Sequence, residues 1–230
     1  RDHGVGVEKI TGVELNPQLI AMSLDDEKLQ LKQALTDPRL ALIESDARAY
    51  LERSSQRFDL ILFSWSGATS SYYAGVSAHT AKFAFTREAL RTAWERLTDD
   101  GTLVFFGVSK VNVLATLKAA LPEITDLSSR VVLLERKGRT KWESGWDNHV
   151  LYVKKTPLTE ANLAGILRFT ENTPFLSAVE PTATKAGYEF FRELLTTADV
   201  PQTLARINQS TALNFRVITA DRPFTYDVAE

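Results

Sequence analysis

Two hydrophobic rhythms alternate along the first two-thirds of the chain. Short apolar runs bounded by turn residues are followed by stretches whose apolar positions recur every three or four residues. That alternation predicts a mostly parallel sheet flanked by helices. Ile10 to Leu15 (ITGVEL) reads as a strand ending in an acid. Asn16 suits an N-cap and Pro17 a first helical position. The helix after them carries Ile20, Leu24, Leu31 and Leu35 on one side, and Thr36-Asp37-Pro38 stops it. Leu40 to Glu44 (LALIE) is a second strand, and Ser45-Asp46 leads into a short helix holding Ala49, Tyr50 and Leu51. Phe58 to Phe63 (FDLILF) is almost continuously apolar, as expected of a parallel strand buried on both faces.

A long loop rich in Ser, Gly and Tyr runs from Ser64 to about His79. Thr86 caps a helix whose buried face is Leu90, Ala93, Trp94 and Leu97. Asp99-Asp100-Gly101 is a turn before a buried strand, Thr102 to Val108. Val111 to Leu121 is helical and ends before Pro122. Arg130 to Glu135 and His149 to Lys154 read as two strands joined by a basic, Trp-containing loop, forming an antiparallel edge. Beyond Thr156 the rhythm loosens. Thr159 caps a helix with Leu163, Ile166 and Leu167, a Pro- and Thr-rich stretch spans Pro174 to Thr184, and another helix holds Phe190, Phe191, Leu194 and Leu195. Ala220 to Phe224 reads as extended. These patterns divide the chain into a nucleotide-binding domain at 1–155 and a helical and extended appendage at 156–230. The appendage packs on the domain, because it has too few elements for a core of its own.

Composition narrows the function. The chain has 230 residues, 44% of them apolar, enough for one well-buried core. Its 27 basic and 29 acidic residues leave a net charge of −2, which argues against an electrostatic nucleic-acid binder. Arg136, Lys137, Arg139 and Lys141 crowd one stretch, which reads as a solvated hairpin loop. With no cysteine, disulfides and thiolate metal sites are excluded. His3, His79 and His149 lack metal-ligand spacing, so no metal is expected. No apolar run approaches the ~20 residues that span a bilayer. The opening Arg1-Asp2-His3, a few residues from the first strand, reads as an excerpt of a longer polypeptide.

In open α/β sheets, ligands bind beyond the carboxyl ends of the strands. Glu14 stands at such an end. Its carboxylate can accept from the vicinal hydroxyls of a ribose, in NAD and S-adenosylmethionine enzymes alike; an acid there also suits a helix N-terminus. Asp46 follows the next strand in the same way. It can accept from an adenine amino group, and it can equally cap its own helix. Two acids at equivalent strand ends favour the nucleotide reading. Asp59, near the start of its strand, faces away and is structural. The loop after Ser64 would lie over an acceptor pocket. Its Ser64-Trp65-Ser66-Gly67 lacks the preceding glycine of a nucleophile elbow, and His79 is the one nearby histidine.

Four motifs carry a family resemblance: Glu14-Leu15-Asn16-Pro17; Ser45-Asp46-Ala47-Arg48-Ala49-Tyr50-Leu51; Phe58-Asp59-Leu60-Ile61-Leu62; and Asp100-Gly101-Thr102-Leu103. In order and spacing they resemble the spermidine synthases, polyamine aminopropyltransferases with the class I S-adenosylmethionine methyltransferase fold. Tyr152 to Thr159 (YVKKTPLT) and Ala220-Asp221-Arg222-Pro223-Phe224 resemble the spermidine synthase-like domains of bacterial multi-pass membrane proteins. The resemblance implies a Rossmann-like α/β fold that binds S-adenosylmethionine or its decarboxylated form. Glu14 with Leu15 would hold the ribose, Asp46 with Ala47 the adenine, and Ser64 would complete the cofactor contacts and be the candidate catalytic residue. It further implies a small-molecule acceptor, neighbouring transmembrane helices in the same parent chain, a cytoplasmic-side location, and a homodimer among its assemblies.

The chain departs from the family twice. The acidic loop that should follow Phe63 has Ser64 and Gly67 at its acid positions. The first strand and its Gly-rich loop are expected before residue 1, since Gly4 and Gly6 precede a strand where the fingerprint must follow one. Two other classes stay open: a non-catalytic nucleotide sensor or scaffold of a membrane protein, and an NAD-dependent oxidoreductase.

Overall fold

The computed structural model describes residues 6–25, 34–64, 81–106, 109–136, 149–173, 176–179, 188–211 and 214–223. They fall into two compact units, Arg1–Ser54 and Ser55–Glu230.

In the first unit, strand β1 (Ile10–Glu14) pairs in parallel with β2 (Leu40–Glu44). Helix α1 (Pro17–Asp25) follows β1, and α2 (Ala47–Arg53) follows β2. Both helices start where side chains satisfy the first orphan N–H groups. Asn16 accepts from the Gln18 amide at 2.9 Å, and Asp46 from the Ala49 amide at 2.9 Å. Ile20 and Leu24 are half-buried as expected, whereas Leu19 and Met22 are exposed. Leu31 lies outside the described residues. The turn into β2 is closed by Asp37, whose carboxylate takes two bonds from the Arg39 guanidinium and one from its amide.

The second unit holds a five-stranded sheet in the order β3-β4-β6-β5-β7, made of β3 (Phe58–Phe63), β4 (Leu97–Phe106), β5 (Val131–Arg136), β6 (Val150–Lys154) and β7 (Leu176–Val179). β3 and β4 are parallel, and β6 runs antiparallel to both β4 and β5. The strands expected at Arg130 to Glu135 and His149 to Lys154 are therefore present. They do not form the edge, however: β7, inside the Pro- and Thr-rich stretch, adds antiparallel outside β5. Its four residues are too short to show a period of two in the sequence.

β4 begins earlier than expected, at Leu97, and absorbs Asp99-Asp100-Gly101 as an irregularity. Phe58 pairs with Leu97 and Leu60 with Thr102, so two steps along β3 match five along β4. Asp100 is held there by Lys154 and by the Thr156 hydroxyl at 2.8 Å. Gly101 is required by a close approach, because a Cβ would stand 2.9 Å from the Phe58 carbonyl oxygen and 2.9 Å from Leu97 Cβ.

Alternation puts Phe63, Leu103, Phe105, Leu133, Leu151 and Val153 on one sheet face, and all are buried. The opposite face corrects the expectation for β3. Leu60 and Leu62 are 54% and 55% exposed, and Phe106 beyond them is 44% exposed. Among the described residues β3 pairs with β4 alone at one edge of this sheet, and its Leu60 and Leu62 face is left uncovered there.

Helices α3 (Arg87–Glu95), α4 (Lys110–Ala120), α5 (Glu160–Glu171), α6 (Glu189–Thr196) and α7 (Val200–Ser210) complete the unit. Thr86 caps α3, and Thr159 forms a capping box with Asn162 on α5. α7 was not expected, although Asp199 caps it and Pro201 stands in its first turn. Val111 and Ala115 of α4 pack with Leu194, Val200, Leu204 and Ile207, so the region after Thr156 shares its core with the sheet-bearing part. Residues 214–218 run across these helices. Asn112 and Thr116 accept from the Arg216 and Ile218 amides, and Asn208 brackets the Phe215 backbone. Ala220 and Asp221 are not extended as expected. They form a turn in which Thr219 and Arg222 bridge.

No helix among the described residues is long and apolar enough to cross a membrane. Gly101→Ala should destabilise the chain by about 1–3 kcal/mol, because the bulge must open to admit the methyl; urea denaturation measures this. Hydrogen bonding from Arg39 holds the Asp37 carboxyl down to about 2, against an ordinary 3.8. Its contribution is therefore full above the ordinary value and is lost as pH falls towards about 2. Asp37→Asn should flatten the acid limb of the stability profile in that window and leave its slope at neutral pH unchanged; denaturation followed by circular dichroism across that range checks it.

Candidate functional site

Parallel pairing puts the ends of β1 and β2 side by side. Glu14 and Glu44 are register partners, and the Ser45 amide donates to the Glu14 carbonyl at 3.1 Å. Asp46 follows two residues past that pair. The two acids chosen from the sequence thus leave neighbouring parallel strands at the same end, each at the start of a helix.

Each carboxylate has one oxygen committed locally. Glu14 Oε1 accepts from the Asn16 amide at 2.8 Å, which turns the chain into α1. Asp46 Oδ1 caps α2. The structural use of Asp46 anticipated from its helix position is therefore present. A carboxylate offers about four lone-pair sites on two oxygens, so one backbone bond orients it without using it up. Glu14 and Asp46 are both half-buried, as are Leu15 and Ala47 beside them. Ser45 adds a local brace: its hydroxyl accepts from Arg53 at 3.0 Å, tying the last turn of α2 back to its start. Glu44, which the sequence reading treated only as a strand end, is the acid directly beside Glu14.

Ser64 belongs to the second unit. It is exposed, one residue past β3, where the chain is anchored by Phe63. That ring stacks on Phe105 at 5.0 Å and 7° and meets Phe85 at 5.7 Å. Gly67, the aromatics after it and His79 lie outside the described residues, as do Lys137, Arg139 and Lys141. Asp59, exposed at the other end of β3, accepts from the Thr98 hydroxyl at 3.0 Å. Among the described residues no group of three potential metal ligands converges.

The same end of the second unit carries a polar cluster that the sequence reading missed. β3, β4 and β5 run one way and β6 the other, so Ser64, the start of α4, the end of β5 and the start of β6 share one end of the sheet. Lys110, Glu135 and His149 stand there, 2%, 1% and 9% exposed. Lys110 Nζ is 3.3 Å from His149 Nδ1. Extending the β5–β6 register by one step places Glu135 opposite His149. One signal was legible. Lys110 is the first residue of α4, after the cap Ser109, where a cation opposes the helix dipole and must be held by something else.

The chain has the fold of solved spermidine synthases. It resembles a probable spermidine synthase from Corynebacterium glutamicum at 15% identity and a TM-score of 0.50, over 82% of this chain and 61% of that one. The spermidine synthase of Thermotoga maritima is similar at 14% identity and a TM-score of 0.45, over 70% of this chain and 50% of the other. The chain thus spans about half to three-fifths of the length of these structures. No protein-family model and no curated protein matches it. The architecture is Rossmann-like α/β, of the spermidine synthase-like class I methyltransferase type.

The two uses of Asp46 can be separated. Asp46→Ala should cost about 0.5–2 kcal/mol by removing the α2 cap, whereas Asp46→Asn keeps an acceptor at that position and should cost less. Chemical denaturation of both variants checks the order.

Proposed function

We propose that this is a transferase-type domain that binds S-adenosylmethionine or decarboxylated S-adenosylmethionine. The observation that carries the reading is the parallel register of β1 and β2, which brings Glu14 and Asp46 to one sheet end. Each has a carboxylate oriented by a single backbone amide. An adenosine presents two kinds of donor there: ribose hydroxyls suited to Glu14 and an adenine amino group suited to Asp46. The spermidine synthase-like fold supports an adenosyl donor over a nicotinamide cofactor. Leu15 and Ala47 would flank the ring, and Ser64 is the candidate catalytic residue. Transfer itself is an attack on the carbon beside a sulfonium, which leaves with its bonding electron pair as a neutral thioether.

The neutral, exposed Ser64 also favours a second reading, in which the domain senses the nucleotide without turning it over. Turnover of a labelled adenosyl donor would eliminate that alternative.

Calorimetric titration of the chain with S-adenosylmethionine, its decarboxylated form and NAD is the test. Glu14→Gln and Asp46→Asn should each weaken adenosyl-donor binding by about 1–3 kcal/mol, because each strands a ligand donor facing an amide. Unchanged affinity in both variants, or a preference for NAD, would reject the assignment.

A further inference from the structure

We draw no further inference here: the strongest candidate, the exposed apolar patch of Leu60, Leu62 and Phe106 at the β3 edge of the five-stranded sheet, carries nothing because nothing in the structure shows what covers it.

Discussion

Parallel strand pairing is the constraint on which this molecule's chemistry depends. Two neighbouring strands that run the same way must be joined by a crossover, so both end on the same side and both turn into helices there. Whatever residues occupy those turns are gathered at one sheet end without any designed contact between them. In the first unit this gathers Glu14, Glu44, Ser45 and Asp46. In the second it brings Ser64 and the start of α4 together beyond β3 and β4. The antiparallel return of β6 carries His149 to that same end.

Residues at such turns serve two purposes. Asp46 caps α2, and Glu14 turns the chain into α1 through the Asn16 amide. These are local, structural uses, and under the proposed function they would also prepare the carboxylates for a ligand. An acid fixed by one backbone hydrogen bond has already lost its rotamer freedom, so a ligand does not have to freeze it. The proposed binding role is thus compatible with the structural one, since each carboxylate has a second oxygen.

The second unit solves a different problem. Its helices α4, α6 and α7 close over a shared apolar cluster, and buried polar side chains on α4 then satisfy the backbone of residues 214–218. Asn112 and Thr116 would be costly in that interior alone. Bonded to the chain that crosses them, they fix its path. Lys110, the first residue of the same helix, follows the same rule with the His149 ring nitrogen as a partner. A cation at a helix N-terminus is paired from the sheet because the helix's own dipole disfavours it.

How much of this the sequence determined depends on the range of the interaction. β1, β2, β3, α2 and α3 were legible within a residue or two, because period, cap and turn residues act over a few positions. So were the two acids at strand ends, since being last in a strand is a local property. β7 and the position of β6 between β4 and β5 were not, because partner choice in a sheet is made by residues far apart in the chain. The exposure of Leu60 and Leu62 was misjudged for the same reason: an apolar run reports what a strand is made of, and its neighbours decide how much of it is covered. The Lys110–Glu135–His149 cluster was hidden most completely. Its members are tens of residues apart, carry no spacing motif, and become one group only when the β5–β6 register and the start of α4 bring their side chains to one buried place.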